Sequence, residues 1–295
     1  MSDSIMFERV ALIGIGLINS SIARFIKRDK LAGEIIINSR RQETVDRALE
    51  LGLGERGEAD AAAAVDGADF VILGAPVGAN AAIAEAIGPK LKPGAIVSDV
   101  GSVKGAVIRD VLPHLPDSVH LVPAHPVAGT EFSGPDAGFA ELFENNWCIL
   151  TPPEGCDAKA LEKVSDFWRR AGSMVDIMDA AHHDKVLAII SHLPHLLAYN
   201  IVGTVKDIEL VTDRDVVKYA AGGFKDFTRI AASDPVMWRD IFLKNQDAVL
   251  EMLGRFSEDL AALQRAIRWG DGEKLEEMFA RTRAIRRDLV AAKKV

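Results

Sequence analysis

His125 and Ser102 are the two side chains that the sequence best places to move a proton. Each comes shortly after an apolar run that predicts a β-strand, and ligands of parallel sheets bind at the carboxyl ends of the strands. A histidine with the usual pKa of about 6.5 can accept a proton at neutral pH. Two structural alternatives stay open: a loop histidine held by hydrogen bonds, and a serine that caps a helix starting near Val103.

A second polar group lies on a strongly apolar stretch that predicts a long buried helix from Asp184 to Val205. At about 100° per residue, Asp184, Ser191 and His195 fall within roughly 20° of one line along this helix, and His192 lies about 80° away. An acid and a histidine need polar partners once they are buried. The pattern therefore predicts either a ligand cleft or a structural polar network, and Pro194 predicts a kink.

A basic segment follows, in which Lys225 and Arg229 are four residues apart and therefore on one helix face. Phe224 and Phe227 flank these charges. An arginine among aromatic residues in an acidic chain favours a carboxylate ligand, because its planar fork matches a carboxylate. The alternative is a solvated cationic face.

Near the amino terminus, the run from Val10 to Ser21 predicts a strand, a tight turn and a helix. Gly14 and Gly16 would let the backbone approach a pyrophosphate, with Leu17 and Ile18 opening the helix whose free amides face it. Asn19 occupies the position of the third glycine in the G-x-G-x-x-G pattern, which weakens the motif. Any other strand-to-helix turn is the alternative.

The second predicted strand ends without the acidic residue that usually contacts a free 2′-hydroxyl. Ser39, Arg40 and Arg41 stand there instead and suit a 2′-phosphate, so we expect NADP, with NAD and a pair of solvated arginines as alternatives. Ala75 and Pro76 follow the third predicted strand and are expected at the same edge, against the cofactor.

The elements that must position these residues alternate between short β-branched runs and helical patterns. This alternation predicts a doubly wound α/β domain with a mostly parallel sheet over residues 1–178, and the absence of later strand patterns predicts an all-α domain over residues 179–295. The long apolar helices of that second domain predict a homodimer. The predicted strands are Val10 to Ile13, Glu34 to Asn38, Asp69 to Gly74, Ala95 to Asp99, Val119 to Pro123, Trp147 to Thr151 and Ser173 to Met178.

Composition excludes several classes of function. The 295 residues carry a formal net charge of -8, which argues against a broad nucleic-acid or anionic-membrane surface but allows a local site for an anionic small molecule. No basic leader and no uninterrupted apolar run of spanning length is evident, so we expect a cytoplasmic protein. Cys148 and Cys156 lack metal-ligand spacing, and no metal site is predicted.

Taken together, these segments resemble the prephenate/arogenate (cyclohexadienyl) dehydrogenases of tyrosine biosynthesis over nearly the whole chain. The resemblance implies a Rossmann domain, a helical dimerisation domain and an active site that takes a small-molecule substrate and a nicotinamide cofactor. The segments that carry it are Gly14-x-Gly16, Asp99-Val-Gly-Ser-Val-Lys104, His125-Pro-Val-Ala-Gly-Thr-Glu131, Ser191-His-Leu-Pro-His195, Gly223-Phe-Lys-Asp-Phe-Thr-Arg229 and Trp238.

The resemblance also implies roles for particular residues. Ser102 and His125 would lie near the 4-hydroxyl of the substrate, with His125 as the base, and Arg229 would hold a substrate carboxylate. Further residues would lie in or near the substrate cleft, some as ionic or gating residues. These are His195, Thr130, Trp238, Asp184, Glu131, Lys225 and Asp226.

Two other functions remain as alternatives. A β-hydroxyacid dehydrogenase would need a catalytic lysine near the nicotinamide, for which Lys185 is the candidate on the central helix. A catalytically silent NADP-binding sensor would leave Ser102, His125, His195 and Arg229 without a reason to converge.

Overall fold

A computed structural model describes residues 5–130, 132–212 and 217–292. By packing, the chain divides into two compact units, Met1–Gln246 and Asp247–Val295. The strands are β1 Phe7–Ile13, β2 Ala32–Asn38, β3 Arg56–Glu58, β4 Phe70–Leu73, β5 Ile96–Asp99, β6 His120–Leu121, β7 Ala124–Pro126, β8 Trp147–Leu150 and β9 Met174–Ile177. The α-helices are α1 Leu17–Asp29, α2 Gln42–Glu50, α3 Ala61–Ala64, α4 Asn80–Ile87, α5 Lys104–Val111, α6 Ala158–Arg170, α7 Ala180–Leu187, α8 Leu193–Thr212, α9 Gly222–Thr228, α10 Pro235–Lys244, α11 Gln246–Trp269 and α12 Gly272–Ala292.

A six-stranded parallel sheet forms the centre of the first unit, in the order β3-β2-β1-β4-β5-β6. The order reverses at β1, because β2 and β4 lie on its two sides. This is the doubly wound arrangement that the sequence predicts, and it creates a crevice at the carboxyl ends of β1 and β4. The three-residue strand β3 was not among the predicted strands.

A second, three-stranded sheet corrects the prediction for the later strands. β7 pairs antiparallel with β8, and β8 pairs parallel with β9, whereas the sequence suggested that these runs continue the parallel sheet. The predicted run from Val119 to Pro123 ends early, at Leu121. Pro123 has no amide hydrogen for a strand ladder, and its carbonyl accepts the Thr151 amide instead. His125 therefore lies within β7 rather than in a loop after β6.

Two apolar layers cover the faces of the parallel sheet. On one face the rings of Phe7, Phe25, Phe70 and Phe167 pack together, with centroid distances from 4.6 to 6.2 Å. The other face is built mainly from valine, alanine and isoleucine, and Trp238 with other α10 residues joins it. α10 thus packs in the same unit as the sheet, and the break between compact units falls beyond it, away from the predicted domain boundary at 178/179.

The predicted central helix is interrupted by one turn of π-helix, Ala188–His192, between α7 and α8. It lies directly before Pro194, whose ring cannot continue a regular helix without adjustment. A π-turn accommodates one extra residue, which rotates all later residues by roughly 100° relative to a regular helix. The predicted alignment of Asp184, Ser191 and His195 is therefore wrong.

The next predicted helix, roughly residues 236–267, is also divided. α10 begins after Asp234, whose carboxylate accepts the Met237 amide at 2.8 Å, and it ends at Lys244, directly before Asn245. Asn245 turns its side chain inward, where it donates to the Asp184 carbonyl at 2.9 Å. The break thus places a buried amide beside the π-turn.

Candidate active site

The turn after β1 has the form of a pyrophosphate cradle. Gly14 has φ +85°, and a Cβ there would lie 2.8 Å from the Ala75 amide nitrogen, so only glycine fits. A Cβ on Gly16 would meet open space, and no side chain caps the helix that follows. The first amides of α1 are therefore available to an anion, and Ala75 and Pro76 border the same crevice.

Asn19 replaces the third glycine without disturbing this turn. Its buried side-chain amide donates to the carbonyls of Gly14 at 2.9 Å and of Ile13 and Ile72 at 3.3 Å. Gly74 makes room for it, since a Cβ there would be 2.3 Å from the amide nitrogen. The close packing of helix on strand that a glycine normally permits is replaced by hydrogen bonds that join β1 to β4.

Basic side chains mark the end of β2. Asn38 is turned inward and donates to the Glu58 carbonyl at 2.9 Å, while Arg40 and Arg41 are exposed. The Ser39 hydroxyl accepts the Arg41 amide at 3.4 Å. A pocket of about 250 Å³ opens beside them, lined by Arg41, Glu43, Thr44, Arg47, Pro135 and Asp136.

A buried ion pair fixes the strand that carries His125. The Lys104 ammonium is fully buried and donates to Asp99 and to the Ala124 carbonyl at 2.7 Å. Asp99 also accepts the amides of Gly101 and Ala124. Burial raises the pKa of Asp99 and lowers that of Lys104, and the pairing opposes both shifts. The pair ties β5, α5 and β7 together directly before His125.

Asp184 closes the amino terminus of α5 from a distant part of the chain. Its two carboxylate oxygens accept the amides of Lys104 at 2.8 Å and Gly105 at 2.9 Å. Ser102 does not cap this helix: Val103 holds the N-cap position, and the half-buried Ser102 side chain makes no hydrogen bond within the described residues. The structural alternative for Ser102 is therefore excluded, and its hydroxyl is available to a ligand.

His125 is the centre of the buried polar cluster. It is 7% exposed, and its Nδ1 lies 2.9 Å from Nε2 of the fully buried His183. Nδ1 of His183 in turn lies 2.8 Å from the Asp184 carboxylate. Burial lowers the pKa of His125 well below its ordinary value, and His183, Lys104 and His192 lower it further. The lowered pKa favours the neutral form of the His125 imidazole.

The π-turn brings His192 into this cluster. His192 is fully buried, and its Nδ1 accepts a hydrogen bond from the Asn245 side chain at 3.1 Å. Its Nε2, like the indole nitrogen of Trp238, is buried without a hydrogen-bond partner among the described residues. Burial lowers the pKa of His192 to about 4, although Asp184 favours the charged form.

His195 and Arg229 lie next to the same cluster. The His195 ring stacks on Trp238 with 3.6 Å between ring centroids, and its Nδ1 lies 2.9 Å from the Ser191 carbonyl. Burial lowers the pKa of His195, and the exposed Arg229 is near enough to lower it further. Electrostatically, His192 lowers the pKa of His125, His195 lowers that of His192, and Arg229 lowers that of His195.

Other predicted site residues lie outside this cluster. Thr130, Lys225 and Asp226 are exposed, and the Thr130 hydroxyl accepts only the Phe132 amide, at 3.2 Å. Glu131 lies outside the described residues. Asp184, predicted near the substrate, has both oxygens occupied by backbone amides and His183.

Sequence reasoning assigned no role to several members of the cluster. Lys104 and Asp99 were noticed only as part of a motif, and His183 was not considered. A signal was present in the run His182-His183-Asp184, which places two imidazoles and an acid at the start of an apolar helix. His192 and Asn245 depend on the π-turn and the helix break, which periodicity does not reveal.

Models of two protein families match this chain in succession. The model described as the nucleotide-binding domain of prephenate dehydrogenase matches residues 22–177, and the model of its dimerisation domain matches residues 179–281. The chain belongs to the prephenate dehydrogenase family. The match to a nucleotide-binding domain agrees with the doubly wound sheet and the glycine turn after β1.

Individual family members agree over nearly the full length. The cyclohexadienyl dehydrogenase of Zymomonas mobilis is 42% identical over 95% of this chain and 96% of its own, and the prephenate dehydrogenase of Bacillus subtilis is 33% identical over 93% and 74%. Among solved structures, prephenate dehydrogenase from A. aeolicus in complex with hydroxyphenyl propionate and NAD+ superimposes with a TM-score of 0.89, at 35% identity over 96% and 98% of the two chains. Synechocystis arogenate dehydrogenase gives a TM-score of 0.78 at 27% identity, over 95% and 99%.

Proposed function

We propose that this chain catalyses the oxidative decarboxylation of prephenate to 4-hydroxyphenylpyruvate, and of arogenate to tyrosine, as a cytoplasmic enzyme. The observation that carries the proposal is His125, a buried neutral imidazole on β7, next to Ala124, whose amide and carbonyl are bound by Asp99 and Lys104 at the carboxyl end of β5. The broad name of the Zymomonas mobilis relative, cyclohexadienyl dehydrogenase, supports activity on both substrates.

For this reaction the protein has to orient the substrate against the nicotinamide and accept one proton. His125 Nε2 takes the proton of the substrate 4-hydroxyl, and the electron pair of the ring-to-carboxylate bond enters the ring as carbon dioxide leaves. The bound nicotinamide supplies the acceptor for the hydride from C4. Aromatisation drives the reaction, and a positioned base contributes about 10²- to 10⁴-fold.

Ser102 and Arg229 complete the proposed site. The Ser102 hydroxyl is free to contact the substrate hydroxyl beside His125. The Arg229 guanidinium would bind a substrate carboxylate in bidentate fashion. The stacked rings of His195 and Trp238 would form an apolar wall for the substrate ring. Thr130, Glu131, Lys225 and Asp226 remain proposals for the rim, and Asp184 is reassigned to positioning.

For the cofactor we propose a preference for NADP over NAD. Arg40 and Arg41 are exposed at the end of β2, where the sequence Ser39-Arg40-Arg41 does not offer the acid that usually holds a 2′-hydroxyl, and two guanidinium groups favour a 2′-phosphate. The A. aeolicus relative is described with NAD+, so NAD is the alternative outcome.

We also propose a homodimer through the helical segment. The stretch Ala180–Glu209 is long and apolar enough to cross a membrane, yet only 28% of its most apolar window is buried within one chain. Ile189, Ile190 and Val202 are among its exposed residues. A second copy would cover them, and the matching family model is that of a dimerisation domain. Light scattering should then give the mass of two chains, and a monomer at micromolar concentration would contradict it.

One spectrophotometric experiment tests the reaction. Reduction of NADP and NAD is followed with prephenate, with arogenate and with a simple 3-hydroxyacid, for the wild-type protein, His125→Asn and Arg40→Asp. We expect turnover with the first two substrates only. His125→Asn should lower kcat by about 10²-fold or more with little change in KM, and Arg40→Asp should shift preference toward NAD.

The exposed His114→Asn serves as the matched control and should behave as wild type. Turnover of the 3-hydroxyacid alone would favour the β-hydroxyacid dehydrogenase alternative, in which the exposed Lys185 would need to act. Cofactor binding without turnover of any substrate would favour the sensor. Near-normal kcat in His125→Asn would remove His125 from the role of base.

A further inference from the structure

We infer that His183 and Asp184 are positioning residues that hold His125 in the tautomer with its hydrogen on Nδ1 and its lone pair on Nε2, ready to accept the substrate proton. The inference rests on the proposed function for its catalytic meaning. The tautomer itself is a property of the protein alone.

His125, His183 and Asp184 form a chain of two hydrogen bonds in the protein interior, which we call the relay. His125 Nδ1 and His183 Nε2 are 2.9 Å apart, and His183 Nδ1 and the Asp184 carboxylate are 2.8 Å apart. The two imidazole rings meet edge to face, with 5.1 Å between centroids and 71° between planes. His183 is fully buried, so water cannot take the place of either partner.

The positions of the hydrogens on the two imidazole rings follow from Asp184, at the end of the relay opposite His125. Asp184 accepts the amides of Lys104 and Gly105, one at each carboxylate oxygen, so both oxygens act as acceptors. The nitrogen of His183 that faces this carboxylate must therefore carry hydrogen. In a neutral imidazole the opposite nitrogen is then an acceptor.

His125 must respond to that acceptor. Since His183 offers a lone pair at Nε2, the facing Nδ1 of His125 carries the hydrogen, and the lone pair of His125 is left on Nε2. No hydrogen bond occupies this nitrogen within the described residues. The relay thus selects the one neutral tautomer that can act as a base toward the crevice.

The same relay stabilises the product of proton transfer. When Nε2 of His125 gains the substrate proton, its Nδ1–H becomes a stronger donor to His183, which is held by the negative charge of Asp184. An aspartate that orients a catalytic histidine acts in this way in hydrolytic triads; here a second imidazole lies between them.

A direct test reads the tautomer. Two-bond ¹H–¹⁵N spectra of the holoenzyme, labelled at the histidine ring nitrogens, distinguish a protonated from an unprotonated nitrogen, and the signals lost in His125→Asn assign His125. We expect hydrogen on Nδ1 of His125 at pH 7.5. Hydrogen on Nε2 would overturn the inference whatever the enzyme's substrate.

Kinetics of two variants test the consequence. His183→Leu removes the acceptor, and kcat with prephenate should fall at least about tenfold, up to the 10²- to 10⁴-fold typical of losing a base, with KM changed less than about threefold. His183→Gln retains a carbonyl that can accept the His125 Nδ1–H, and should recover a substantial part of kcat. The exposed neighbour His182→Gln is the control and should match wild type.

The outcomes separate the two proposals. If wild type turns over prephenate but His183→Leu keeps kcat within about twofold, the relay is wrong and the proposed function stands. Equal loss in both His183 variants, with the wild-type tautomer retained in His183→Gln, would also reject it. If wild type does not turn over prephenate or arogenate, the proposed function fails while the spectra still decide the tautomer.

Discussion

Lowering the pH should destabilise this protein through His192. In the folded chain, burial lowers the pKa of His192 to about 4, while an unfolded chain has the ordinary value of about 6.5. Between these values the unfolded state binds a proton that the folded state does not. Stability is therefore fully present above about pH 6.5 and is lost progressively as the pH falls toward 4.

The magnitude follows from the two pKa values. One pKa unit corresponds to about 1.36 kcal/mol, so the full effect of His192 below pH 4 is roughly 3 kcal/mol. Between pH 7 and pH 5, the same linkage gives about 2 kcal/mol. This is a large fraction of the 5–15 kcal/mol that is typical of native proteins. Other buried histidines add to the total, so the contribution of His192 must be isolated by substitution.

Urea unfolding at fixed protein concentration measures the contribution of His192 to the pH dependence of the free energy of unfolding. His192→Asn keeps an oxygen that can accept the Asn245 amide but cannot titrate. Although this variant should be less stable at pH 7, its loss between pH 7 and pH 5 should be about 2 kcal/mol smaller than that of wild type. The exposed His182→Asn should retain the wild-type dependence. An identical pH dependence in His192→Asn and wild type would refute a neutral, buried His192.

Two further predictions concern substrate and cofactor contacts. Arg229→Ala should raise the KM for prephenate by about 10- to 100-fold, because a charge-assisted hydrogen bond contributes about 1.5–3 kcal/mol. Arg170→Ala, a substitution of an exposed arginine on α6, is the control. An unchanged KM in Arg229→Ala would mean that another residue binds the substrate carboxylate. Asn19→Gly restores the usual third glycine, but it removes three donated hydrogen bonds and introduces glycine into α1. The free energy of unfolding in urea should therefore fall by about 2–4 kcal/mol. Equal stability would contradict the conclusion that the Asn19 side chain stabilises the fold by joining β1 to β4.

The sequence predicts the parallel sheet well because β-branched runs and glycine turns are local signals. The strand-turn-helix around Gly14 and the exposed arginines after β2 could be predicted because each depends only on residues adjacent in sequence. The second sheet was missed for a physical reason: a proline within the run from Val119 to Pro123 ends one sheet and starts another, and apolar content alone does not distinguish the two. The sequence predicted His125 after the fifth strand, facing the cofactor cleft; the structure places it within β7, buried, and its position at the cleft stays a prediction.

The polar interior could not be predicted in the same way. An ideal helical period of 3.6 residues aligned Asp184 with His195, whereas the π-turn rotates the chain so that His192 comes near Asp184 instead. The Asn245 side chain then bonds to both the Asp184 carbonyl and His192, across a helix end that no periodicity marks. Such contacts depend on tertiary packing, which overrides local preference.

Asp184 contacts two parts of this cluster, so substituting it alone cannot show which contact activity depends on. Its carboxylate caps α5 directly after Ser102, and it also holds His183 behind His125. Replacing Asp184 would therefore shift the serine and the base together, and lost activity would not distinguish a misplaced hydroxyl from a wrong tautomer. The His183 side chain hydrogen-bonds to His125 and to Asp184, and within the described residues it makes no hydrogen bond to the amides at the start of α5. It is the position where orientation of the base can be changed while the helix cap, and with it Ser102, stays in place.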